Sequence, residues 1–311
     1  MKKFVARINT IVSNNHAGSV QLIDDLVVAC EDFLHHNHEN DINVINRIII
    51  DQLLNVANKH IQLVALYKFI NEILFVIENE PNSKLPILNF LTSYKEKWNE
   101  SLNQIFDNIT SMASLNNKTL LLHSSSTSIK YFLKRIAENN ILLTIYQTVS
   151  HPAKEGIVQA KCLSEYGHKV VLIEDAGIGK IIDKIDLVLL GADAVLGDTF
   201  INKIGTSYLC HASYKSKLPV FVIADTRKYI PNTEHTSSYI KTLLNETLKS
   251  EKEIFSDDNY ENISVQNYYY EEIPSKLVSV YINEEGVFTT KKINHYINSI
   301  EVTSQLFNLH H

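Results

Sequence analysis

The chain has 311 residues, of which 45% are hydrophobic and 21% charged, with a formal net charge of −6. That composition is ordinary for a soluble globular protein with room for two domains, and it offers no global basic field to attract nucleic acid. Three cysteines, far apart and without a CxxC pair, suggest neither a disulfide framework nor a zinc site.

Reduced thiols in a cytoplasmic protein are the simplest account of those cysteines. The opening MKKFVARINTIVSNN is basic, but no long apolar core follows, so it is not read as a signal peptide. No stretch has the length and apolarity of a membrane span.

Residues 1–115 read as helical. From Ser19 to Phe33 the apolar positions Val20, Ile23, Leu26, Val27, Cys30 and Phe33 follow one helix face. Similar spacing over 41–55, 61–77 and 91–112 predicts three more helices, with NEPNSKLP as a connection. The fold class expected is α/β: an N-terminal helical bundle over 1–115, then a Rossmann-like parallel α/β domain over 116–311.

From Lys118 the pattern changes to short apolar runs alternating with helical segments, which indicates βαβ units. KTLLLH, ILLTIYQTV, KVVLIED, DLVLL and PVFVIAD are the five predicted strands. Serines 124–126 stand where they can cap the next helix, and Gly167 suits a helix C-cap. The polar stretch over 231–267 reads as irregular or partly helical.

The segment 184–229 is the richest in chemistry. Its buried strand stops at Gly191-Ala192-Asp193, so a carboxylate stands at the carboxyl end of a strand, where open α/β sheets place ligands. A polar loop then carries Asn202 and Lys203, and Gly205-Thr206 opens a helix. A carboxylate, a cation and helix N-terminal amides within one short segment suit a polar ligand carrying phosphate. Each part also has a plainer reading: a strand-end Asp caps turns, and a loop lysine is commonly solvated. The Gly177-x-Gly179 pair lacks the third glycine and the later acid of a dinucleotide turn, and reads as a tight turn.

The block GADAV…INKIGT followed by PVFVIADTRKY resembles the initiation factor 2B alpha/beta/delta family. The resemblance extends back through HPAKEGIVQAKCLSEYGHKVVLIEDAGIG and forward to YYEEIPSKLVSVYINEEGV. That family contains regulatory subunits of a translation factor and two isomerases, of methylthioribose 1-phosphate and of ribose 1,5-bisphosphate. It implies that Asp193 transfers protons, that Asn202 and Lys203 contact substrate, and that Lys228 meets phosphate. It also implies that Gly18 and Ser19, at the entrance of a helix, present backbone amides to phosphate.

The chain departs from the isomerases at Ser124, where the family's second acid–base group is a cysteine. A serine hydroxyl needs its own general base for comparable work, and the adjacent His123 is expected to point to the other face of an extended segment. His151-Pro152 stands for an Arg-Pro, and Lys59-His60 for a phosphate-gripping arginine. The resemblance therefore implies either an aldose–ketose isomerase of a sugar 1-phosphate, with no metal or redox cofactor required, or a non-catalytic regulatory subunit with a larger protein partner. The ligand expected is a phosphorylated sugar or nucleoside monophosphate, and the assembly expected is a homodimer.

Overall fold

The computed structural model describes residues 1–14, 18–36, 39, 41–60, 63–231, 236, 240–241, 244, 250–256 and 262–307. The terminal His310-His311 pair and parts of the polar 231–267 stretch lie outside the described residues.

The chain divides into two compact units. The first comprises 1–100, 227–243 and 300–311, and the second 101–226 and 244–299. The first boundary lies fifteen residues before the one read from the sequence, and two later segments belong with the N-terminal helices.

The first unit is built from α1 (Lys2–Ser13), α2 (Ser19–His36), α3 (Ile42–Lys59), α4 (Val64–Asn79) and the first half of α5 (Leu85–Met112). The opening basic segment is itself a helix, because Phe4, Ile8 and Ile11 recur on one face and are buried. The Phe4 and Phe33 rings stack with centroids 4.4 Å apart. Asp41 caps α3 by accepting the Asn43 N–H at 2.9 Å. Helix α5 begins six residues earlier than its apolar spacing suggests, with Pro86 in its first turn, where a missing N–H costs nothing. The buried Asn71 side chain donates to the Glu301 carbonyl and accepts from the Thr303 N–H, both at 2.9 Å, which ties the 300–303 segment to this unit.

The second unit carries the sheet. Its strands and helices are β1 (Thr119–Leu122), α6 (Thr127–Glu138), β2 (Thr144–Thr148), α7 (Glu155–Glu165), β3 (Lys169–Ile173), β4 (Leu187–Gly191), β5 (Ala194–Val195), β6 (Thr199–Lys203), α8 (Thr206–Lys215), β7 (Val220–Ile223), β8 (Tyr270–Pro274), β9 (Val280–Asn283), β10 (Gly286–Phe288) and α9 (Thr290–Asn298). A short helix α10 (Ser304–Phe307) follows in the first unit.

Seven strands form one sheet in the order β10-β9-β7-β4-β1-β2-β3, parallel except for the β9–β10 hairpin. The five runs predicted as strands are its β1, β2, β3, β4 and β7. Leu120, Leu121 and Leu122 of β1 and Val188, Leu189 and Leu190 of β4 are fully buried, as expected for strands covered on both faces. Ser126 caps α6, accepting the Ile129 N–H.

The expected polar loop between β4 and α8 is a different structure. β5 and β6 form a hairpin, and β8 pairs antiparallel with β6 to make a separate three-stranded sheet. Asn202 and Lys203 are thus strand residues with 4% and 2% exposure, not loop residues in solvent. The apolar pair Phe200-Ile201, flanked by Thr199, Asn202 and Lys203, is too brief to announce a strand on its own.

Candidate functional site

Strands β1, β2 and β3 wind outward in one direction from the middle of the large sheet, and β4, β7 and β9 in the other. The winding reverses between the neighbours β1 and β4, and ligands in such sheets bind outside the carboxyl ends of strands at that point. Leu122 of β1 stands opposite Leu189 of β4. Two residues further on stand Ser124, just past the end of β1, and Gly191, the last residue of β4, and Asp193 follows. The sequence thus brings Ser124 and Asp193 to one edge of the sheet from positions 69 residues apart.

The backbone turns sharply there. Ser124 after β1 and Ser150 after β2 both have left-handed backbones, with φ of 66° and 65°. Each such residue costs about 1–2 kcal/mol, and the turns are held by fixed hydrogen bonds. The Ser124 N–H donates to Ser150 Oγ at 2.8 Å. The Asp175 carboxylate accepts the N–H groups of Ser150 and His151, each at 2.7 Å.

Glu155, at the first position of α7, lies at the centre of the polar cluster. The Ser124 hydroxyl donates to its Oε1 at 3.0 Å, and Lys203 Nζ lies 3.1 Å from the same oxygen. The lysine ammonium also sits over the Tyr269 ring, 3.9 Å from its centroid. The Tyr269 hydroxyl in turn donates to the Glu253 carboxylate. Beyond their ion pair, Glu155 Oε2 and Lys203 Nζ are buried without a hydrogen-bond partner among the described residues. Native structures rarely leave such atoms unsatisfied.

Gly156 sets how closely α7 approaches β2. A Cβ there would lie 1.9 Å from the Thr148 carbonyl oxygen, so only glycine permits this contact.

His123 lies behind the cluster, 2% exposed. Its Nε2 is 2.9 Å from the Ile204 carbonyl, which can only accept, so Nε2 carries the proton. Nδ1 then accepts from the Thr148 hydroxyl at 2.7 Å, and Thr148 Oγ1 in turn accepts from Ser150 Oγ at 2.9 Å. Burial drives the His123 pKa down, opposed by the Ile204 hydrogen bond and by the Asp175 and Glu155 charges. Both ring nitrogens are engaged away from Ser124. Gly205, with φ of +97°, would bring a Cβ within 3.1 Å of this ring. A cavity of about 290 Å³ opens beside it, lined by His123, Asp175, Ala176, Ile178, Gly205 and Tyr208.

Asp193 is half-buried, and its N–H donates to the Ile201 carbonyl at 2.8 Å, which anchors it to the hairpin. The Tyr270 phenol registers its charge. The tyrosine pKa is raised first by Asp193, then by burial, and also by Glu155. The two carboxylates therefore act on one neighbour.

Asn202 and Lys203 part company. The Asn202 amide donates to Thr206 Oγ1 at 3.0 Å, whereas Lys203 reaches Glu155. The first turn of α8 is also committed. The Ser207 N–H donates to the Glu271 carboxylate at 2.8 Å, so an internal anion occupies part of the expected phosphate position.

Gly18, Ser19 and Lys228 belong to the first unit. Ser19 opens α2, and a Cβ on Gly18 would meet nothing within 4 Å, so no close approach requires glycine there. Lys228 ends a single turn after β7, next to Arg227, whose guanidinium lies 4.4 Å from the centroid of the Trp98 ring. His60, with Lys59 the counterpart of an arginine in the resemblance, is buried and donates to the Ile11 carbonyl at 3.0 Å.

Sequence reasoning did not single out Glu155, Tyr269 or Tyr270. Glu155 meets partners 31 and 48 residues away, a proximity no local spacing reveals. Its one local signal is the Glu-Gly pair at a helix start after Pro152.

Comparison with known proteins places these features. Over 171 residues the chain is 29% identical to ribose 1,5-bisphosphate isomerase of Methanocaldococcus jannaschii, covering 54% of each chain. Over 181 residues it is 28% identical to translation initiation factor eIF2B subunit alpha of Dictyostelium discoideum, covering 57% of this chain and 56% of that one. These matches span about half the length of the relatives. Among solved structures, 5-methylthioribose 1-phosphate isomerase from Pyrococcus horikoshii OT3 superposes with a TM-score of 0.71 at 15% identity, covering 96% of this chain and 88% of that one. The eIF2B beta structure from Chaetomium thermophilum gives 0.71 at 14% identity, covering 98% and 92%. At such identities the superpositions establish the fold. Residues 17–290 match the profile of the initiation factor 2 subunit family, and the chain belongs to that family.

Proposed function

We propose that this protein binds a phosphorylated sugar at the carboxyl edge of the large sheet and interconverts its aldose and ketose forms. The observation that carries this reading is that Ser124 and Asp193 follow the carboxyl ends of the neighbouring strands β1 and β4 at the reversal point of the sheet, on the strand edge that also carries a buried lysine–glutamate pair with atoms unsatisfied among the described residues. The named activity of the Methanocaldococcus relative supports the substrate class.

In this reading Asp193 moves a proton at the sugar. A carboxylate within reach of a hydroxyl does so by general acid–base catalysis. Lys203 supplies hydrogen bonds and positive charge to sugar oxygens. Its charge is already balanced by Glu155, so a phosphate dianion gains less there than at an isolated lysine. Asn202 holds the α8 turn that follows Lys203. A nucleoside monophosphate presents the same ribose and phosphate chemistry and is the second ligand to test. The protein is proposed to work in the cytoplasm as a homodimer.

The test is turnover of ribose 1,5-bisphosphate and methylthioribose 1-phosphate, read alongside the thermal shift each ligand produces. Asp193→Asn should reduce turnover at least about 100-fold while the shift persists. Failure of both sugars and of nucleoside monophosphates to raise the melting temperature defeats the proposal.

One observation favours a second reading. Ser124 places a hydroxyl where the family's isomerases use a thiol, and the Dictyostelium relative is a translation factor subunit. A regulatory subunit would bind the sugar phosphate without turning it over and would purify from its source with a larger partner.

A further inference from the structure

We propose that Ser124 and Glu155 form a proton relay, in which the serine hydroxyl passes protons between a sugar oxygen and the Glu155 carboxylate. The inference rests on the isomerase reading above and adds a second proton route to Asp193.

The hydrogen bond from Ser124 Oγ to Glu155 Oε1 is 3.0 Å long and already points in the direction of transfer. Lys203, 3.1 Å from the same oxygen and almost wholly buried, compensates the carboxylate charge. Ser124 is held by its left-handed backbone and by its N–H bond to Ser150. Glu155 is held by the close approach that Gly156 permits. Both ends of the relay are fixed, as a preorganised proton path requires. Glu155 Oε2 and Lys203 Nζ are buried with no hydrogen bond among the described residues, so the cluster retains capacity for a polar ligand. Asp193 and Glu155 both raise the Tyr270 phenol pKa, so each carboxylate acts on the same neighbour.

The step balances without a further reactant. An O–H bond of the sugar breaks as its proton forms a bond to Ser124 Oγ. The proton formerly on Oγ passes to Glu155 Oε1, which becomes a carboxylic acid. The sugar oxygen keeps the electron pair of its broken bond, and no atom is oxidised or reduced. Reversal returns a proton to a sugar oxygen and regenerates the carboxylate. Glu155 reaches the sugar through Ser124, so it is a positioning and relay residue.

Glu155→Gln is the sharp test, because glutamine keeps the oxygen that accepts from Ser124 and lies beside Lys203 but cannot take up the proton as a carboxylate does. With ribose 1,5-bisphosphate or methylthioribose 1-phosphate, the expected result is a kcat at least about 100-fold lower, with KM and the ligand-induced thermal shift within about threefold of wild type. Ser124→Ala should lose a similar factor, and the double variant should be no slower than the worse single one. In Glu155→Ala, added formate should restore turnover and equal chloride should not, a response that packing alone does not give. Glu155→Gln turnover within threefold of wild type, or loss of formate rescue, overturns the relay. Wild-type binding without turnover overturns the relay and leaves the sugar-phosphate pocket standing. Absence of both binding and turnover overturns the pocket as well.

Discussion

The Thr148 carbonyl oxygen stands 1.9 Å from where a side chain on Gly156 would begin. This contact locks the start of α7 against the end of β2 and so fixes Glu155 beside Ser124. Gly156→Ala forces the two elements apart. It should destabilise the protein by about 3 kcal/mol, the upper range for overpacking, as read from the urea midpoint at unchanged slope. A stability loss under 0.5 kcal/mol, roughly that of a surface change, contradicts the close approach.

The Lys203–Glu155 pair makes a second prediction. Removing one partner of a buried ion pair leaves an uncompensated charge, at a cost of about 3 kcal/mol. Lys203→Met should show that loss in chemical denaturation. Combining it with Glu155→Gln should recover part of it, since the stranded carboxylate is then gone. Strict additivity of the two substitutions would separate the residues energetically.

The buried histidines give the stability a pH dependence. Burial is the first cause lowering both His123 and His168 from their ordinary value of 6.5. The unfolded chain therefore takes up protons before the folded chain does. Their contribution to stability is complete above about pH 6.5. It declines as the pH falls from there towards the depressed folded values. Urea midpoints should fall between pH 7.5 and 5, and His123→Asn should flatten part of that slope. A slope identical in the variant excludes His123 as a source.

Thiol labelling checks the packing of both units. Burial raises Cys30 and Cys210 to about 12, each aided by a nearby carboxylate, Glu31 and Glu271 respectively. Cys162 is only half-buried, with its Sγ 3.0 Å from the Tyr166 hydroxyl. An aromatic disulfide reagent at pH 8 should titrate one thiol quickly and the other two only on unfolding. Rapid labelling of all three would place Cys30 or Cys210 outside its core.

The parallel strands were legible because a strand covered on both faces must be apolar throughout, and LLL in β1 or VLLG in β4 has no other economical reading. Helices α2 to α4 were legible from their spacing. The β5–β6–β8 sheet was not, because β5 has two residues and β8 returns from some 70 residues later. At the site, Asp193 and Ser124 were readable as strand-end residues. Lys203 was readable as a candidate but not as a buried one, since it lies on strand β6 and its partner Glu155 opens the distant helix α7. The commitment of the α8 amides to Glu271 depends on strand pairing, which leaves no mark near residue 207.

The reversal of winding between β1 and β4 separates what keeps this unit folded from what it does. Leu120–Leu122 and Leu187–Leu190 are sealed inside the sheet, while Ser124 and Asp193 sit on the turns beyond them. Those turns can exchange one reactive group for another without the interior registering the change. The same fold is accordingly found in proteins named as an isomerase and as a translation initiation factor subunit.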